Sequence, residues 1–189
     1  MKSTVAILSL IVSLLAPQLR AGDPPKKPGP EHKKLEVLTG KWKWEENLER
    51  TPWGPPRKAI GRSEVRFIHR GFAVHEYAKG RTVDPAKSGD PGSPGEWTIL
   101  TYYDPDQRTY RALWLDSEGQ VDNTVGSVEG TTWSWAWKHS INGKVYDFKE
   151  TDVFAPGGRS RTCEVMYSDD DATWKPYSKC VYRKVGKAK

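Results

Sequence analysis

Three indoles alternate along one short stretch, with Trp133, Trp135 and Trp137 separated by Ser134 and Ala136. In an extended strand successive side chains point to opposite faces, so all three rings stand on one side of a sheet. Three environments satisfy that pattern. The rings fill a core, or line a cavity that takes a partly apolar ligand, or form an outward platform on which sugars stack. Nine tryptophans in 189 residues exceed what filling one small core requires, which keeps the cavity reading open beside the core one. Trp44 and Trp114, on two other alternating stretches, join the cavity candidates.

The polar candidates are fewer. His69 and His75 flank a tight Arg70-Gly71 turn. Consecutive strands would bring them together as metal ligands, as a general base or as ordinary sheet polars. Glu76 and Asp116 lie on stretches that read as half-buried. If inward, each needs a cation such as Arg183 or Arg111, because an unpaired buried charge is very costly. A paired carboxylate holds a polar ligand group or acts as acid or base; a structural ion pair explains the same residues. Haem would need an axial ligand, with His139, His75 or a tyrosine as the choices. No catalytic, metal or nucleotide motif is specific enough to assign a reaction, a catalytic residue or a metal site.

The two cysteines, Cys163 and Cys180, flank a turn-rich stretch over 168–173. A hairpin centred near Asp171 sets them opposite one another, within the roughly 4.4–6.8 Å Cα separation that a disulfide requires. Closing that loop is worth roughly 3 kcal/mol in the chain-entropy model. There is no CxxC, and two cysteines so far apart make a poor zinc site.

What must position these residues is a set of strands. Alternation runs near 40–49, 58–69, 72–79, 96–103, 108–116, 120–128, 131–140, 144–154, 160–168 and 175–185, rich in β-branched and aromatic residues. Turn chemistry separates most of them, including Asp104-Pro105-Asp106, Ser117-Glu118-Gly119, Asn142-Gly143 and Pro156-Gly157-Gly158. The fold class is therefore all-β, an antiparallel barrel of about ten strands or a sandwich, and closure also removes exposed sheet edges. A short helix over 31–39, ended by Gly40, precedes the first strand. Two longer connections, 50–57 and 81–95, are rich in proline and glycine; Trp53 in the first either covers a barrel mouth or packs on a neighbouring strand.

The amino-terminal residues read as an export signal. Lys2 precedes an apolar run over 4–16, Pro17 ends it, and Ala21 offers a cleavage site. The run is too short for a spanning helix, which needs about 20 apolar residues, and no later stretch approaches one. The expected organisation is a signal peptide over 1–21, a proline-rich tether over 22–31, a barrel domain over 32–185 and a basic tail over 186–189. The expected location is secreted or periplasmic. Cleavage would lower the formal charge of +6 by two, and the remaining bases are mostly scattered among acids. A nucleic-acid binder gathers its bases into a patch, so no nucleic-acid partner is expected.

The Gly40-Lys41-Trp42 triplet after a short helix resembles the GxW signature that opens the first strand of lipocalins. In that family the tryptophan closes the barrel base and an arginine of the last strand packs across it; Arg183 is the matching residue here. Several runs together resemble a bacterial lipocalin-like (calycin-type) domain family of unknown function. They are the 32–44 opening, Gly71-Phe72 before His75-Glu76-Tyr77, Tyr102 to Asp104, the Tyr110–Asp116 run and the closing Trp174…Tyr182-Arg183. The resemblance implies a barrel with an internal cavity and carries no established activity. The first reading is thus an exported barrel that holds a small, partly apolar molecule among Trp44, His75, Glu76, Trp114, Trp133, Trp135 and Trp137. The second is an enzyme using His and carboxylate residues in that cavity. The third is a cell-envelope interaction protein with a fully packed barrel.

Overall fold

A computed structural model describes residues 27–84 and 91–186. The expected signal peptide, half of the tether, part of the 81–95 connection and nearly all of the basic tail lie outside those residues. Among the described residues, no helix is long and apolar enough to cross a membrane.

Ten strands form in order: β1 (Gly40–Leu48), β2 (Arg57–Ile68), β3 (Ala73–Val83), β4 (Ser93–Asp104), β5 (Thr109–Asp116), β6 (Val121–Glu129), β7 (Thr132–Ile141), β8 (Lys144–Phe154), β9 (Ser160–Ser168) and β10 (Lys175–Lys184). Each pairs antiparallel with its neighbours in sequence, and β1 pairs with β10 to close the barrel. The alternation that suggested strands is the alternation of inner and outer faces. On β1 Trp42 and Trp44 are buried while Lys41, Lys43 and Glu45 are exposed. The Asn142-Gly143 turn works because both residues adopt positive φ (53° and 79°), the twist that a two-residue hairpin favours.

The longest departure from the expected strands is at 81–95. The strands β3 and β4 run on past the expected ends, pairing Gly80 with Gly95, Arg81 with Pro94 and Thr82 with Ser93. Proline and glycine read as loop signals locally, and the ladder already established by residues 73–79 carries the pairing through them.

One end of the barrel is packed shut. The helix α1 (Pro30–Lys34) and the 3-10 turn Leu35–Leu38 lie across it. Leu35 inserts fully buried among Trp42, Val65, Val74, Tyr110, Trp133 and Phe154. Two polar ties hold the plug. The Trp42 Nε1 donates to the Leu38 carbonyl at 2.8 Å, and the Tyr110 hydroxyl lies 2.8 Å from the Glu31 carboxylate. Cys163 and Cys180 are directly paired on β9 and β10, form a disulfide with Cα atoms 4.9 Å apart, and are both buried.

Candidate functional site

Above the plug the inner faces enclose a cavity of about 580 Å³, within the usual range for small-molecule sites. Six indoles line it: Trp44, Trp53, Trp97, Trp114, Trp135 and Trp137. They form contiguous aromatic surface, with Trp44 and Trp97 centroids 5.0 Å apart, Trp97 and Trp114 6.3 Å apart, and Trp137 stacked on Phe148 at 5.3 Å. Glycines make the room. The Trp44 ring lies directly on Gly61 and Gly80, and the Trp135 ring on Gly126, where a Cβ would overlap the indole. The 50–57 loop folds back at the other end, and Trp53 packs on Tyr146 (4.7 Å) and Tyr167 (4.9 Å) while lining the cavity.

The polar part of the wall centres on Arg161 of β9. Its guanidinium pairs with Asp152 at 3.4 Å and lies 4.0 Å from the Tyr182 ring centroid. Asp152, 1% exposed, also accepts a 3.3 Å hydrogen bond from Trp135 Nε1. Glu46, Glu76 and Glu150 line the same cavity. Burial, then the neighbouring charge of Asp152, pushes Glu150 well above the usual carboxylate range. Burial raises Glu46 as well. Burial raises Asp152 too, but less far, because the arginine and the indole favour its charged form, so Glu150 is the member of the pair that holds a proton more readily. Tyr177 is pushed up to about 12 by burial and by the charge of Glu46. Among the described residues, three buried donors of the wall have no hydrogen-bond partner, Arg161 Nε and the Nε1 atoms of Trp44 and Trp114, whereas Ser178 meets the Glu46 carboxyl and Asp152 the Glu150 carboxyl. A second polar pair lines the cavity farther from the plug, where His139 Nδ1 lies 2.8 Å from Asp122 Oδ1.

The sequence candidates divide as follows. Trp44, Glu76, Trp114, Trp135 and Trp137 line the cavity. Trp133 faces inward too, but belongs to the packed plug, in contact with Tyr110 and stacked on Trp135. His75 sits opposite Arg66 and Leu100, on the outer face next to inward Val74 and Glu76, and does not line the cavity. Period two separates it from Glu76, so the two adjacent residues cannot share a site. His69 is exposed in the β2–β3 turn. Of the histidines considered as axial ligands, His139 is the one at the cavity wall.

Trp42 is buried at the closed end, 3% exposed. Arg183 does not pack on it. The register pairs Trp42 with Lys184 and Lys43 with Arg183, which puts Arg183 outside and exposed. The cations near the Trp42 ring are Lys184, at 4.9 Å, and Arg161, at 6.0 Å. Arg161, Asp152, Glu150 and the His139–Asp122 pair were missed as a site. One signal was present: Arg161 is two residues before Cys163, hence on the same face as a buried cysteine.

A metal is poorly served here. The carboxylates of Glu150 and Asp152 and the Cys163 sulfur lie within 4.8 Å of one another, yet that sulfur is held in the disulfide and Arg161 neutralises Asp152.

Among curated proteins none matches the chain significantly. Solved structures share its fold at low identity. Rv2717c from M. tuberculosis superposes with a TM-score of 0.54 at 11% identity, covering 84% of this chain and 99% of that one. The S-type phycobiliprotein lyase CPES from Guillardia theta superposes with a TM-score of 0.51 at 9% identity, covering 83% and 94%. At such identities the likeness concerns the fold alone. Residues 27–184 match the family described as protein of unknown function DUF1579, and the chain belongs to that family.

Proposed function

We propose that this protein is an exported binding protein, of lipocalin-like type, that holds one small, partly apolar molecule inside its barrel. The observation that carries the reading is the cavity of about 580 Å³ between the plug and the Trp53 loop. An interaction protein working through its loops has no use for such a space, and filling it would add stability. The wall suits a ligand with an apolar body. Six indoles offer flat surface, and burial of such a body gains roughly 25 cal/mol per Å² of apolar area. The few polar groups around Arg161 supply orientation. Export is supported by the charged start, apolar run and Ala21 of the sequence, and by a disulfide that suits an oxidising compartment.

Native mass spectrometry of protein purified from its own host is the test. The expected result is a mature chain beginning at Gly22 with one small molecule bound. An intact Met1 in the membrane fraction overturns the export part. Ligand-free protein that also fails to take up small hydrophobic probes overturns the binding part.

A second reading, catalysis in the same cavity, rests on Glu150 and the His139–Asp122 pair. A protonated carboxyl in a dry wall is a general acid, and a histidine oriented by a carboxylate is a general base. A recovered ligand that the pure protein converts to a new mass favours this reading; one that it returns unchanged favours binding.

A further inference from the structure

The charges inside the barrel are unbalanced in one direction. Glu46 on β1, Glu76 on β3 and Glu150 and Asp152 on β8 all line the cavity. Arg161 is the cation among them; its charge is paired with Asp152 and it lies over Tyr182, with its Nε unpartnered. Of the other basic residues at the wall, His139 is bound to Asp122, and Arg81 is exposed. Among the described residues an anionic ligand would therefore meet four carboxyl groups against one buried arginine whose charge a carboxylate already neutralises. A neutral hydrocarbon would cover those carboxyls with nothing to pair them, which is costly.

We propose, resting on the binding reading above, that the cavity takes an organic amine: a protonated ammonium group on an apolar body of aromatic size. The ammonium lies against the Glu76, Glu150 and Asp152 carboxyls, and the body lies among Trp44, Trp97 and Trp114. Three observations support this. Asp152, only 1% exposed at the cavity wall, is hydrogen-bonded to the neighbouring Glu150 carboxyl, and no N–H meets its Oδ1. The surrounding indoles present negative π-faces, which attract cations and repel anions. The neutral form that burial favours for Glu150 also suits an empty site, since its proton can leave when a cation arrives to pair the carboxylate. The unpartnered indole N–H groups of Trp44 and Trp114 add a feature of the body, an acceptor oxygen such as a hydroxyl, ether or carbonyl.

The test uses three probes with one skeleton, 4-phenylbutylamine, 4-phenylbutanol and 4-phenylbutanoate, titrated calorimetrically into the full mature protein at neutral pH. The amine is expected to bind at least about tenfold tighter than the alcohol, with the acid weakest. Glu150→Gln and Glu76→Gln are each expected to lower amine affinity several-fold and alcohol affinity by less. Neither substitution removes the Asp152 partner of Arg161, and an unaltered near-ultraviolet circular dichroism spectrum of the tryptophans checks folding. Equal binding of amine and alcohol, or a preference for the acid, overturns the amine proposal and leaves the cavity reading standing. Binding of none of the three removes both.

Discussion

Arg161 lies over the Tyr182 ring, with 4.0 Å between the guanidinium carbon and the ring centroid, on a strand neighbour that shares its inward face. Asp152 completes the contact from the other side at 3.4 Å. Arg161→Met keeps most of the volume and leaves Asp152 buried without a cation, so a loss of about 3–5 kcal/mol is expected in urea denaturation. The double variant Arg161→Met with Asp152→Asn should recover most of that loss, because no charge is then stranded. Arg183→Ala, on the outer face, should change stability by less than about 0.5 kcal/mol. A large loss for Arg183→Ala would contradict the register described for β1 and β10.

Glu150 gives stability a pH dependence of known sign. Its pKa is raised in the folded protein by burial and by Asp152, from an ordinary value of 4.5. Between the ordinary and the raised value the folded chain holds a proton that the unfolded chain has lost, so stability falls as pH rises. Glu46 and Asp152, also raised by burial, act in the same direction. Urea midpoints measured from about pH 5 to pH 8 should therefore decline. Glu150→Gln should decline less steeply; an unaltered slope in that variant would assign the effect elsewhere.

The glycines under Trp44 make a paired comparison. Gly61→Ala places a methyl against the indole and the Lys79 carbonyl, and overpacking of this kind costs about 1–3 kcal/mol. Gly95→Ala, in open space on β4, should be neutral or mildly stabilising. Thermal melts of the two variants, with near-ultraviolet circular dichroism reporting on the tryptophans, are the measurement. Equal melting points would show that Trp44 moves aside freely.

Cys163 and Cys180 should yield no free thiol when the protein is unfolded without reductant. Replacing both by serine should cost about 2–4 kcal/mol, since the cross-link restrains the unfolded chain. Two titratable thiols in exported protein would contradict the pairing.

The strands and turns were legible because each carries its own signal: period-two alternation, Asn142-Gly143, Pro156-Gly157-Gly158. The disulfide was legible because a hairpin relates its two positions. The Trp42 partner was not. Which arginine meets that ring depends on the register of β1 against β10, strands at opposite ends of the chain that share no turn. A shift by one residue exchanges Lys184 for Arg183. The Arg161–Asp152 pair stayed hidden for a related reason, since both residues look like ordinary strand polars until the inward face is known. Adjacent candidates such as His75 and Glu76 could not both be inward, and local sequence does not say which one is.

The closure of the barrel by β1 and β10 bears on how the chain can be cut. Nine of the ten ladders join consecutive strands and only one joins the first to the last. Forming that one requires the whole domain, and it is the longest-range pairing in the barrel. It also brings the two ends of the domain side by side, with the Val185 N–H donating to the Lys41 carbonyl at 2.7 Å. A circular permutant that links those ends with a short flexible bridge and opens at Asn142-Gly143 would keep every ladder. The bond between first and last strand would then become a hairpin, and the longest-range pairing would pass to β7 and β8, the strands that carry Trp135, Trp137, Glu150 and Asp152.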